Sequence, residues 1–134
     1  MKILRIDHVG IATDSLKNTA PFWGDLLGIP HRKTEIVESE GVTTHIYDTG
    51  GGKIELLTRY GKDSPIARFL KRRGPGIHHL CLEVDDVRSA VEKLKANGIR
   101  LVNETPREGA EGSRIVFIHP RSTGGVLVEL CQKS

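Results

Sequence analysis

The chain has little with which to read nucleic acid. Its 134 residues include one tryptophan, two tyrosines and three phenylalanines, and no basic stripe runs between them. Base stacking needs aromatic platforms and backbone tracking needs clustered positive charge, so nucleic acid is not an expected partner. The formal charge of +3 is small and suits an anionic small molecule better than a polyanion. No stretch approaches the roughly 18 to 20 apolar residues that a membrane span requires, so no membrane partner is expected either. No export-type apolar segment precedes the first strand, which begins by Ile3, and the expected compartment is the cytoplasm. The two cysteines, Cys81 and Cys131, lie in apolar strands and read as reduced packing thiols rather than a disulfide. The glycine-framed nucleophile pattern, the Walker loop and the dinucleotide fingerprint are all absent.

What is present is a repeat. Ile6-Asp7-His8-Val9-Gly10-Ile11 and Ile77-His78-His79-Leu80-Cys81-Leu82 are strand-like copies. Asp14 follows His8 by six positions, Asp85 follows His79 by six, and each opens a helix. Gly28-Ile29 and Gly98-Ile99 end those helices. A later strand in each half sets a glutamate among aliphatics: Lys53-Ile54-Glu55-Leu56-Leu57 and Val126-Leu127-Val128-Glu129-Leu130. The His-to-Glu offsets are 47 and 50 residues. A period of this kind decides the architecture before any local propensity does.

In order, the expected elements are a strand over 3–12, a helix from about 14 to 27 bent at Pro21, and strands near 32–37, 42–48 and 53–57. The first helix carries an apolar stripe of Leu16, Ala20, Trp23, Leu26 and Leu27. A connecting helix is capped by Asp63 or Ser64, has Pro65 in its first turn and ends at Gly74. The second half repeats the plan, with a strand over 77–84, a helix after Asp85-Asp86 and strands near 101–103, 113–119 and 124–131. The fold class is therefore α+β: paired βαβββ modules in a single 134-residue domain. Module 1 spans about residues 1–60, the connecting helix about 61–75 and module 2 about 76–134.

Glu129 is the sharpest single residue. The run Val126 to Cys131 is apolar on both faces, and a carboxylate buried there must neutralise, pair or bind a metal. Glu55, His8 and His79 each gain from their place in the repeat. Alternation separates His79, the partner of His8, from His78, which faces the packed helix. Imidazole and carboxylate donors suit a borderline divalent ion such as Co, Ni, Mn, Fe or Zn, one per chain. Four protein ligands leave open positions in an octahedral shell, the mark of a catalytic site. The chemistry that remains is Lewis-acid polarisation of a substrate oxygen with a carboxylate moving a proton.

Over nearly its whole length the sequence resembles the methylmalonyl-CoA epimerase family of the vicinal oxygen chelate (glyoxalase) superfamily. The resemblance is carried by Ile6-Asp7-His8-Val9-Gly10-Ile11-Ala12, Asp63-Ser64-Pro65-Ile66-Ala67, Gly76-Ile77-His78-His79, His119-Pro120 and Gly125-Val126-Leu127-Val128-Glu129-Leu130. It implies a homodimer that interconverts (2R)- and (2S)-methylmalonyl-CoA, with His8, Glu55, His79 and Glu129 as metal ligands and cobalt the favoured ion. It further implies that Glu129 serves as acid or base. Some members carry a second glutamate after Gly-Val, and here Thr44 stands in that place. A threonine hydroxyl is a poor base, so water, His45, a glutamate of the Glu38 to Glu40 corner, or Glu129 alone must complete the transfer. Thr44 and Arg114 are the expected substrate contacts. The rival readings are glyoxalase I, with the same ligand types, and a metal-free protein that sequesters a small molecule.

Overall fold

The structure is a computed structural model that describes residues 1–134. Its chain divides into two compact units, one of residues 8–78 and one of residues 1–7 with 79–134.

The 8–78 unit follows the order β1 (Ile3–Ala12), α1 (Leu16–Ala20), β2 (His31–Val37), β3 (Val42–Asp48), β4 (Lys53–Arg59) and α2 (Pro65–Arg73), with β1 entering it at His8. Its strands lie in the order β2-β3-β4-β1. β1 pairs parallel with β4, while β3 is antiparallel to both its neighbours. Ser15 caps α1 by accepting from the Asn18 N–H. At Pro21 the α-helical ladder stops and the chain continues as a wider π-helical segment, Pro21–Leu26. The ring removes one donor and forces the rearrangement, which is the expected bend in a sharper form. The expected apolar stripe fails here: Leu26 is 75% exposed, and Leu27 is exposed too, because the π turn rotates both off the inner face. α2 forms as expected. Ser64 accepts from the N–H groups of Ile66 and Ala67 and donates to the Gly41 carbonyl, and Gly74 ends the helix at φ 77°. Its inner face closes a core of Ala12, Leu57 and Ile66, with Phe69 and Leu70 packed against them.

The other unit runs β5 (Gly76–Val84, entering at His79), α3 (Val87–Ala96), β6 (Arg107–Glu108), β7 (Arg114–Ile118) and β8 (Val128–Gln132). Its strand order is β5-β8-β7-β6, with β5 and β8 parallel. Each unit is thus a βαβββ module. Asp86 caps α3, and Val87, Ala90 and Val91 pack onto Val84, Val116, Ile118 and Leu130. The first residues of the chain are tied to this unit. The Met1 amino group donates to Ser89, Lys2 and Asp85 exchange hydrogen bonds, and Arg5 pairs with Glu83. The Lys2 N–H is the main reason the Asp85 carboxyl sits below its usual range.

Two strand expectations are corrected. The segment near 101–103 makes one isolated bridge, Leu101 to Ile118, and the edge strand lies instead at Arg107–Glu108. Asn103 explains the break: its side chain accepts from the Phe117 N–H, substituting for a backbone ladder. β8 begins only at Val128, and Val126 is 45% exposed, so the run is not buried from its start. Gly124 and Gly125, both at positive φ, shape a turn that delays the strand.

Candidate active site

The parallel pairing of β1 with β4 sets the first half of the site. Gly10 is the register partner of Glu55, so His8, two residues earlier, lies diagonal to the glutamate on one face. His8 Nδ1 is 3.1 Å from Glu55 Oε2, and both side chains are buried. The parallel pairing of β5 with β8 repeats the device. Cys81 is the register partner of Glu129, and His79 precedes it by two. His79 Nε2 is 3.1 Å from Glu129 Oε1, again with both buried, and the Phe117 ring meets the imidazole edge at 5.8 Å. Each expected histidine therefore meets its expected glutamate within one unit. The two pairs use different ring nitrogens.

The Glu55 carboxylate has a further partner that residue spacing does not disclose. Thr44 Oγ1 donates to Glu55 Oε1 at 2.9 Å, and Thr44 is 2% exposed. On β3, Thr44 pairs with Leu57 while Ile46 pairs with Glu55, which makes the threonine a diagonal neighbour on the same face. The hairpin register was the missing signal.

His45, one of the alternatives for the second proton transfer, has both nitrogens engaged, Nε2 with Thr58 at 3.0 Å and Nδ1 with Thr34 at 3.2 Å. Burial, and then the nearby His31, lower its pKa. From the Glu38 to Glu40 corner, Glu38 takes a hydrogen bond from the Tyr60 hydroxyl. Arg114 is exposed on β7. His78 turns away from His79 and packs its ring on Phe69 of α2, as alternation requires.

Cys81 and Cys131 are free and buried, and together with Ile115 they form a small core with Phe117 against it. Burial pushes the Cys81 thiol far above its usual range, helped by its contact with Cys131 and by the Glu129 charge. That agrees with packing thiols. Asp7, which sequence reading left aside, is buried within 4.8 Å of both sulfur atoms and is held by Lys133 Nζ at 2.7 Å. A separate surface cleft of about 590 Å³, lined by residues including Leu16, Lys17, Asp25, His31 and Tyr47, contains none of the expected site residues. No helix is long and apolar enough to cross a membrane.

The donor set fits a borderline divalent ion. Each module presents one imidazole and one carboxylate, buried and already within hydrogen-bonding distance, which is the chemistry such ions select.

The sequence matches the family model of the Glyoxalase/Bleomycin resistance protein/Dioxygenase superfamily over residues 7–117. It is 42% identical over 130 residues to the mitochondrial methylmalonyl-CoA epimerase of Dictyostelium discoideum, covering 96% of this chain and 78% of the relative. The crystal structure of methylmalonyl-CoA epimerase from Mycobacterium tuberculosis superimposes with a TM-score of 0.93 at 38% identity, covering 98% of this chain and 89% of that one. A glutamine-for-glutamate variant of the Streptomyces coelicolor methylmalonyl-CoA epimerase, in complex with 2-nitronate-propionyl-CoA, gives 0.87 at 32% identity and 99% coverage of both chains.

Proposed function

The chain belongs to the methylmalonyl-CoA epimerase family of the glyoxalase superfamily, and from that premise we propose that it interconverts (2R)- and (2S)-methylmalonyl-CoA by removing and returning the C2 proton. The observation that carries the reading is the pair of buried His–Glu contacts at equivalent places of the two modules. In the proposal His8, Glu55, His79 and Glu129 serve one divalent ion, shared within a single 134-residue domain. When bound, such an ion supplies Lewis-acid stabilisation of the negative charge that develops as the C2 proton leaves.

The chain's own residues do the remainder. Glu129 is the proton carrier, its carboxylate set on the short strand β8 and kept in place by His79. His45 is an unsuitable second carrier, since both its nitrogens are already bonded and the ring tends to stay neutral. In the proposal solvent water completes the exchange on the opposite face of C2. Arg114, exposed on β7, is assigned to the anionic substrate. The proposal extends to cobalt as the working ion, to a homodimer, which the exposed Leu4 and Ile6 on β1 favour, and to the reducing cytoplasm that two free buried thiols suit.

The test is deuterium uptake at C2 of methylmalonyl-CoA in D2O after chelator treatment, with and without added Co(II). Cobalt-dependent uptake with loss of stereochemical purity is expected. Uptake that ignores the metal would remove the ion from the proposal. Absence of uptake, with turnover of the methylglyoxal–glutathione hemithioacetal instead, would make the chain a glyoxalase.

A further inference from the structure

We propose that Thr44 is a positioning residue for Glu55, turning that carboxylate so that Oε2 alone is offered to His8 and to a divalent ion, and that it carries no proton in the reaction. The inference rests on the metal reading above.

An ionised carboxylate can only accept, so in the 2.9 Å contact the hydroxyl proton of Thr44 must point at Glu55 Oε1. The proton is committed, and a committed hydroxyl cannot serve as the missing base. The two carboxylate oxygens are divided between neighbouring strands. Oε1 goes to Thr44 on β3, and Oε2 goes to His8 on β1, with Glu55 on β4 between them. Two fixed contacts on opposite oxygens define the plane of the carboxylate. Left alone, a glutamate has three rotatable side-chain bonds and can chelate with both oxygens. Threonine suits the holding role because branching at Cβ stiffens χ1. The site is also dry enough for the bond to persist, with Glu55 4% exposed.

The second module shows what the first has added. Ile46 pairs with Glu55 and Thr44 lies two residues before it; Phe117 pairs with Glu129 and Ile115 lies two residues before it. The place that holds a hydroxyl beside Glu55 therefore holds an aliphatic side chain beside Glu129.

The experiment compares wild type, Thr44→Val and Thr44→Ser for Co(II) affinity by chelator competition, for the visible absorption of the bound cobalt, and for C2 deuterium exchange at saturating Co(II). Valine keeps the volume and removes the donor. Outer-shell hydrogen bonds to ligands are commonly worth 10- to 100-fold in metal affinity, so Thr44→Val is expected to bind cobalt about 10- to 100-fold more weakly with an altered spectrum. Thr44→Ser, which keeps the donor, is expected to restore both. Unchanged cobalt affinity and spectrum in Thr44→Val would overturn the positioning role. Loss of exchange at saturating metal in Thr44→Val with the cobalt affinity and spectrum kept, restored by serine, would make Thr44 a proton carrier and also overturn the proposal. Should the valine variant fail to fold, Thr44→Ala supplies the same comparison. If the wild type itself binds no cobalt, or His8→Ala leaves its affinity unchanged, the metal reading has failed instead, a result distinct from either of these.

Discussion

Replacing Glu129 by glutamine separates chemistry from architecture more cleanly than any other change in this chain. The two side chains are nearly the same size, so the register of Glu129 against Cys81 on one side and Phe117 on the other is undisturbed. What disappears is the negative charge, 3.1 Å from His79 Nε2, and with it any capacity to accept a proton. A positioned general acid or base contributes about 10²–10⁴-fold, or about 3–5 kcal/mol of barrier at 1.36 kcal/mol per tenfold. Stability should change far less. A neutral amide is cheaper to bury than a carboxylate, and this offsets part of the lost contact with His79, leaving a net change of about 1–2 kcal/mol. The assay is C2 deuterium exchange at saturating Co(II), run beside thermal unfolding followed by circular dichroism. Glu129→Gln should fall at least about a hundredfold in exchange while keeping a cooperative transition. Exchange within tenfold of wild type in the folded variant would refute the assignment of Glu129 as proton carrier.

Three further outcomes are expected. His8→Ala and His79→Ala should each reduce bound cobalt when measured by elemental analysis after reconstitution and desalting; loss in only one of them would break the shared-site reading. The pKa of His45 is lowered from 6.5, mainly by burial and then by His31, so the unfolded chain binds this proton more readily than the folded one. Its contribution is complete above pH 6.5 and is lost as pH falls below it, so urea unfolding should show a shallower acid loss for His45→Gln than for wild type; parallel curves would refute this. Ser64→Ala removes the acceptor for the Ile66 and Ala67 N–H groups and the donor to Gly41, and should cost about 1–3 kcal/mol in denaturant unfolding.

The repeat was legible because its signals are short-range. Strand β1 runs from Ile3 to Ala12 as alternation predicts, and α2 begins at Pro65 behind its Ser64 cap, since capping and φ restriction act within a few residues. His–Glu partnership could also be read, because two copies of one pattern constrain each other. Features that depend on register could not. The bond from Thr44 to Glu55 joins diagonal neighbours in a hairpin, and shifting the hairpin by one residue would have sent Thr44 to the other face. The exposure of Leu26 and Leu27 follows from the π turn at Pro21, which changes the angular step that a helical stripe assumes. The late start of β8 and the missing strand near residue 102 reflect side-chain competition and turn geometry rather than apolar content.

The first seven residues have a consequence for dividing this molecule. They precede His8 in β1, yet they bond to Ser89, Asp85 and Glu83 of the later module. A cut between His78 and His79 would therefore yield two fragments of which neither is a whole module. The longer fragment would carry a strand end that belongs to the shorter, and the shorter would lack the terminal residues that bond to Ser89 and Asp85 at the start of its first helix. Mixing the fragments should restore the fold only through strand donation. The shorter fragment alone should gain structure when supplied with a peptide of residues 1–7. The duplication visible in the sequence is thus no longer a line along which the chain can be separated.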